Sequence, residues 1–307
     1  MDATNSTNCA SIQPNADVSG MGIRASIYAL CLGGRLLNLF TKLFSTREAS
    51  EEFERSYKNS LSIQGMALLC TAWYESTHGQ LTLFHAMVVL HLVSLLGINL
   101  ASRISPKKSP WIRFWMNSLL IICAVSAFIA FNVYVWIRAP DFGSQPECNS
   151  TVVYVLFGNS INATNPIFRY IILATLAAIP GFFVIFLILG LPCWIMACCL
   201  CREDMHCKRN PVPLLFDRDD TSEDGPKPVN WTHEMVQIMA YMAFSIYAIV
   251  SLEQMISRNR VSEEESQWTF GQIIALFLLL GPTVDFFNAV AASFGKKTSI
   301  SAPSHRD

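Results

Sequence analysis

Seven long apolar stretches alternate with polar segments along this chain, at 21–41, 60–77, 81–102, 112–137, 167–199, 231–256 and 268–294. A bilayer core about 30 Å thick needs roughly 20 apolar residues per helical crossing. The pattern therefore predicts an all-α, polytopic transmembrane helix bundle of about seven spans. The first two stretches are the weakest, because each carries polar or charged residues, and a re-entrant second segment is the alternative to a full crossing. Between them Thr41–Lys58 is rich in charge of both signs, with Phe40, Leu43, Phe44 and Phe53 at near-helical spacing. That spacing fits either an amphipathic helix on the inner membrane surface or a simple extension of the first span. The fifth stretch is longer than a bilayer requires, so it must tilt, kink or project, and Pro180 and Pro192 supply places to kink.

Charge sets the orientation. With the N-terminus outside, the inner side collects sixteen Lys and Arg residues and the outer loops only Arg258 and Arg260; Arg24, Arg35, Arg138 and Arg169 lie within or at the ends of spans. Such an excess of inner basic residues is the positive-inside pattern. The chain then divides into an extracytoplasmic tail (1–22), a single helix bundle (23–295) and a cytoplasmic tail (296–307). The tail holds no Lys or Arg, so the first span is predicted to stay as an uncleaved anchor. The inner segment 202–228 is acidic and rich in Pro and Gly, which predicts a mobile loop.

Composition agrees: 52% of residues are hydrophobic and only 15% charged, too apolar for an ordinary soluble domain. With a formal net charge of −1 and no basic arm, nucleic acid is excluded as a partner and the lipid bilayer is the expected one. Glycosylation sequons begin at Asn149 and Asn162 in the longest outer loop and at Asn5 in the tail. The sequon at Asn230 falls at the inner membrane face and is a chance match. Cys9 and Cys148 are the only cysteines on the outer, oxidising side, so the readings there are a disulfide or two free thiols. On the inner side Cys198, Cys199, Cys201 and Cys207 crowd around His206. They lack the paired spacing of a structural zinc site, so no metal is expected, and reversible acylation of Cys198, Cys199 and Cys201 competes with unmodified thiols.

Ionisable side chains at membrane depth are costly and therefore candidates for function. They are Arg24, Arg35, His85, His91, Glu253 and Asp285, with Glu75 and His78 near the outer end of the second span. Arg35 and Asp285 both lie toward the inner side, which allows an ion pair or two separately snorkelling side chains. His85 and His91 are six residues apart and so on different helix faces; they read as packing hydrogen-bond donors and not as metal ligands. No hydrolase, metalloprotease, phosphate-loop or aspartate-rich prenyl-diphosphate motif is present, and no cofactor is implied.

Two segments resemble a large group of uncharacterised fungal multi-pass membrane proteins. One is Asn15-Ala16-Asp17-Val18-Ser19-Gly20-Met21-Gly22-Ile23-Arg24, followed by Tyr28. The other is Glu253-Gln254-Met255-Ile256-Ser257-Arg258-Asn259, followed by Phe270-Gly271-Gln272 at the start of the last span. The resemblance implies a fungal source and a polytopic fold, and it singles out Asp17, Arg24, Glu253, Asn259 and Gln272. All five fall at the outer membrane face, so packing of the first span against the last two would gather them into one polar cluster, for example Arg24 with Glu253. The competing reading is a helix entry capped by Asp17 or Ser19, with Gly20 and Gly22 permitting close packing.

The expected function is that of a multi-pass integral membrane protein in the plasma membrane or an endomembrane, with no assignable activity. Three classes stay open. One is a membrane-embedded enzyme of secondary metabolism in a terpene-cyclase-like role; another is a small transporter or sensor with a small-molecule ligand or substrate; the last is an accessory component without chemistry of its own.

Overall fold

The apolar stretches are helices. A computed structural model describes residues 9, 11–100, 111–185, 231–259, 261 and 267–300. The N-terminal tail enters the bundle through a single turn, α1 (Ala16–Ser19), after which Gly20 adopts an extended conformation and α2 (Met21–Tyr28) begins. A π-helical segment, Ala29–Gly33, joins α2 to α3 (Gly34–Phe44). Gly34 is required there, because a β-carbon would lie 2.8 Å from the ring of the fully buried Tyr57.

The charged segment Thr41–Lys58 is divided between two helices, Thr41–Phe44 ending α3. The chain breaks at Ser45–Thr46, and Thr46 caps the new helix by accepting from the Ala49 amide. Everything from Arg47 onward fuses with the second apolar stretch into α4 (Arg47–Thr77), a helix of 31 residues. Its length, at a rise of about 1.5 Å per residue, exceeds the bilayer core. The charged first half is held by Arg47–Glu51 and Lys58–Glu54 ion pairs at i,i+4, with Lys42 of α3 3.9 Å from Glu54.

The chain continues through α5 (Leu83–Leu100), α6 (Trp111–Arg138), α7 (Pro166–Ile185) and α8 (Trp231–Arg258). The last apolar stretch is two helices, α9 (Phe270–Phe277) and α10 (Leu280–Ile300). Pro282 accounts for that break: it has no amide hydrogen, and its ring crowds the carbonyl four residues earlier, at Leu278.

Four described helical stretches are long and apolar enough to cross a membrane: Ala16–Phe44, Ser118–Asp141, Met235–Arg258 and Phe270–Ala291. Shorter apolar helical stretches occur at Leu83–Leu96 and Pro166–Ala178. Large apolar side chains stay exposed on these helices, among them Leu120 and Ile122 of α6, Val236 and Met239 of α8, and Phe277 and Phe287. A continuous apolar exterior of this kind is the surface that lipid covers. The core lies where α4, α5 and α2 meet, around Phe53, Tyr57, Leu61, Phe84 and Met87. Loop 202–228 and, of the predicted tail 296–307, residues 301–307 lie outside the described residues.

One feature departs from an all-helical chain. Within the loop 139–166, β1 (Val153–Leu156) pairs antiparallel with β2 (Asn159–Asn162), Val153 opposite Asn162. Phe157 and Gly158 turn the hairpin, both with positive φ (48° and 77°), as a two-residue primed turn demands. The hairpin lies along α8: the Ser251 hydroxyl donates to the Val155 carbonyl, and the Phe157 amide donates to the Tyr247 hydroxyl, whose ring stacks on Phe157.

Candidate functional site

Gly20 and Gly22 let the start of the first span approach the start of the last. A β-carbon on Gly22 would sit 2.7 Å from Cβ of Gln272, and one on Gly20 would strike both Gln272 and the Ala16 carbonyl. In the space they leave, the buried Gln272 side chain accepts from the Gly22 amide (2.9 Å) and donates to the Gln267 carbonyl (2.8 Å). It thus joins α2 to the entry of α9, whose N-cap is Thr269.

One turn further along α2, Arg24 meets α8. Its Nη1 donates to Oε1 of Glu253, and its Nε donates back to the Ser19 carbonyl at 2.8 Å. The Tyr28 hydroxyl donates to the same Glu253 oxygen at 2.7 Å. Arg24 is 12% exposed and Glu253 44%, so the pair sits at an edge, its cation enclosed and its carboxylate half open.

Asn259 has a different task. Its side-chain amide copies a strand: Oδ1 accepts from the Val153 amide (2.9 Å), while Nδ2 donates to the Val153 and Met255 carbonyls. Asn259 therefore fastens the hairpin to the end of α8, apart from the ion pair. Asp17 is exposed and lies beside Gly271, the neighbour of Gln272. Of the five residues, then, the structure brings Arg24 and Glu253 into contact, sets Gln272 on the adjoining turn with Asp17 beside its neighbour, and gives Asn259 to the hairpin.

Cys9 and Cys148 are joined by a disulfide. Beside it Ile12 pairs in parallel with Val261, and the Gln13 amide donates to the Gln145 side chain (2.7 Å). These links make one cap of the tail, the loop 139–166 and the α8–α9 turn. Gly143, with φ +74°, belongs to the same cap, since a β-carbon there would overlap the Leu81 carbonyl. Tyr154 is half-buried in it between Trp136, Phe168 and His91, and that burial pushes its phenol up to about 12.

Asn149 is 1% exposed, and its side-chain nitrogen donates to the carbonyls of both Pro140 and Phe142, so the folded loop encloses this sequon's acceptor. Asn162 remains exposed, and Asn5 lies outside the described residues. Among the described residues, Arg35 and Asp285 form no ion pair with each other. The face that α10 turns toward α3 and α4 carries Phe286, packed on Phe40 and Phe53, and Asp285 is one helical step off that face. The Arg35 guanidinium instead lies 4.5 Å above the Tyr241 ring.

His85 is buried and pairs with the Thr82 hydroxyl (2.6 Å), and His91 hydrogen-bonds the Met87 carbonyl through Nδ1. Among the described residues no three His, Cys, Asp or Glu side chains converge as metal ligands. Cys198, Cys199 and Cys201 lie outside the described residues. Sequence reasoning missed the second donor to Glu253, Tyr28, and the pairing of the Asn15 side chain with Glu75 (2.7 Å). Tyr28 is one turn from Arg24, so its i,i+4 spacing was the available signal. No family model matches the chain, and no characterised protein or solved structure matches it.

Proposed function

We propose that this chain is a seven-span integral membrane protein of sensor type, with its N-terminus and residues 139–166 outside and its C-terminus inside. In this reading the cross-linked outer cap is a fixed face for recognising a small molecule. The observation that carries it is the joining of Cys9 to Cys148, which requires the tail and the loop to share one oxidising compartment. The sixteen-to-two distribution of basic residues argues for the same side. The resemblance to fungal multi-pass proteins is carried forward within this proposal.

The enzyme reading draws less support. Its best carboxylate, Glu253, accepts from a guanidinium and a phenol at once, an arrangement that holds helices together and has no general acid free to start a reaction. Single-cysteine labelling with a membrane-impermeant maleimide tests the orientation. Asn159→Cys on the hairpin should label in intact cells above the unsubstituted background, and Glu52→Cys on α4 only after permeabilisation. The reverse order would overturn the proposal.

A further inference from the structure

Beneath the N-terminal tail lies a cleft of about 340 Å³ lined by Gln13, Pro14, Asn15, Glu75, Gln80 and Thr82. That volume falls at the lower end of small-molecule sites. Its walls come from the tail, the end of α4 and the start of α5. The tail side is held by the Cys9–Cys148 disulfide and by the Gln13–Gln145 hydrogen bond. The floor is the end of α4, where Gly79 in the left-handed region (φ 67°) lets the Gln80 amide reach back to the Glu75 carbonyl at 2.8 Å. Thr82, at the start of α5, is fixed by the fully buried His85.

Glu75 is the one charged residue in the lining, and it is half-buried. Oε2 accepts from the Asn15 side chain; among the described residues Oε1 has no hydrogen-bond partner and Glu75 no ion pair. The surrounding outer segments 1–22, 78–80 and 139–166 contain no Lys or Arg, whereas Asp17, Asp141 and Glu147 add negative charge. A carboxylate in a concave wall of one sign focuses a field that draws in cations. Arg24 and Arg258 are engaged elsewhere, Arg24 with Glu253 and Arg258 with Gly158 and Ser160.

The lining also selects among cations. A quaternary ammonium has no N–H donors and is recognised by aromatic faces, and the cleft lining has none. A primary ammonium carries three donors, and the cleft lining holds the Glu75 carboxylate together with the amide side chains of Gln13 and Gln80, whose type supplies acceptors. We propose that the Glu75 cleft is a binding site for a small primary ammonium compound. It rests on the recognition face proposed above and supplies that face with a ligand class. A free amine and the headgroup of an outer-leaflet aminophospholipid present the same chemistry.

The test uses full-length protein in phosphatidylcholine nanodiscs, titrated with ethanolamine and with choline. Saturable ethanolamine binding, at least about tenfold tighter than choline, is expected. Glu75→Gln should weaken it by about tenfold or more, and Gln80→Lys, an exposed position whose added ammonium competes for Glu75, should do likewise. Unchanged thermal unfolding of both variants shows that the fold is intact. Repeating the titration in nanodiscs containing phosphatidylethanolamine separates the sources: competition assigns the lipid headgroup, and unaltered binding a soluble amine. No ethanolamine binding in phosphatidylcholine, equal binding of choline, or full affinity in both variants would overturn the site. Those failures leave the orientation untouched, because cysteine labelling reads it independently.

Discussion

Truncating Arg24 leaves Glu253 with Tyr28 alone, and truncating Glu253 strands an almost enclosed guanidinium against the Ser19 carbonyl. The second loss should be the larger, because Arg24 is 12% exposed and Glu253 44%. Since the carboxylate is partly screened by water, each single change should cost about 1–2 kcal/mol, below the value for a dry pair. Unfolding of Arg24→Ala, Glu253→Ala and the double variant should show that the double loses less than the sum; strict additivity would count against a coupled pair. Gly22→Ala probes the neighbouring contact. Its added methyl must displace Gln272, whose Cβ stands 2.7 Å away, at a cost of about 1–3 kcal/mol measured by the same unfolding assay.

Asn149 shows at the level of an element why a motif can mislead. A sequon is local, whereas the burial of Asn149 depends on a turn folding back so that Pro140 and Phe142 accept its two hydrogens. Endoglycosidase treatment should therefore shift wild-type protein, if residue 162 is modified in the expressing cell, and Asn162→Gln should abolish the loop's contribution while Asn149 adds none. The hairpin was equally hidden, since two strands of four residues give too few alternations to stand out in a loop. Spans were legible because the bilayer imposes length and apolarity on each one. Arg24 with Glu253 was legible because two opposite charges marked the outer ends of separate spans. Depth alone left Arg35 and Asp285 open between an ion pair and two separate side chains; helical phase separates these readings, because Phe286 holds the facing position. In α4, Glu54 offers a pH test. Burial would raise its carboxyl, but Lys58 and Lys42 outweigh that and hold it below the usual carboxylate range. A carboxyl lowered in the folded state stabilises above its unfolded value, and that contribution fades as pH falls through the lowered one. Glu54→Gln should accordingly flatten the acid side of the stability profile, and an unchanged profile would remove Glu54 as a cause.

At the scale of the whole molecule, the outer cap and the bundle depend on one another. The tail reaches residue 148 through a disulfide, residue 261 through a strand bridge and residue 75 through Asn15, so it is anchored to α4, the α8–α9 turn and the loop together. A protease site engineered between Cys9 and Cys148 should yield fragments that stay joined until reductant is added; separation without reductant would remove the cross-link. The proposed seven crossings, with this cap outside, would put the two ends of the chain on opposite sides of the membrane. The most direct measurement is antibody access to an N-terminal and a C-terminal tag on one protein, in sealed cells and after permeabilisation. The N-terminal tag should be reached in sealed cells and the C-terminal tag only after permeabilisation. Both tags reached together, or the C-terminal tag first, would contradict the seven-span, outer-cap arrangement.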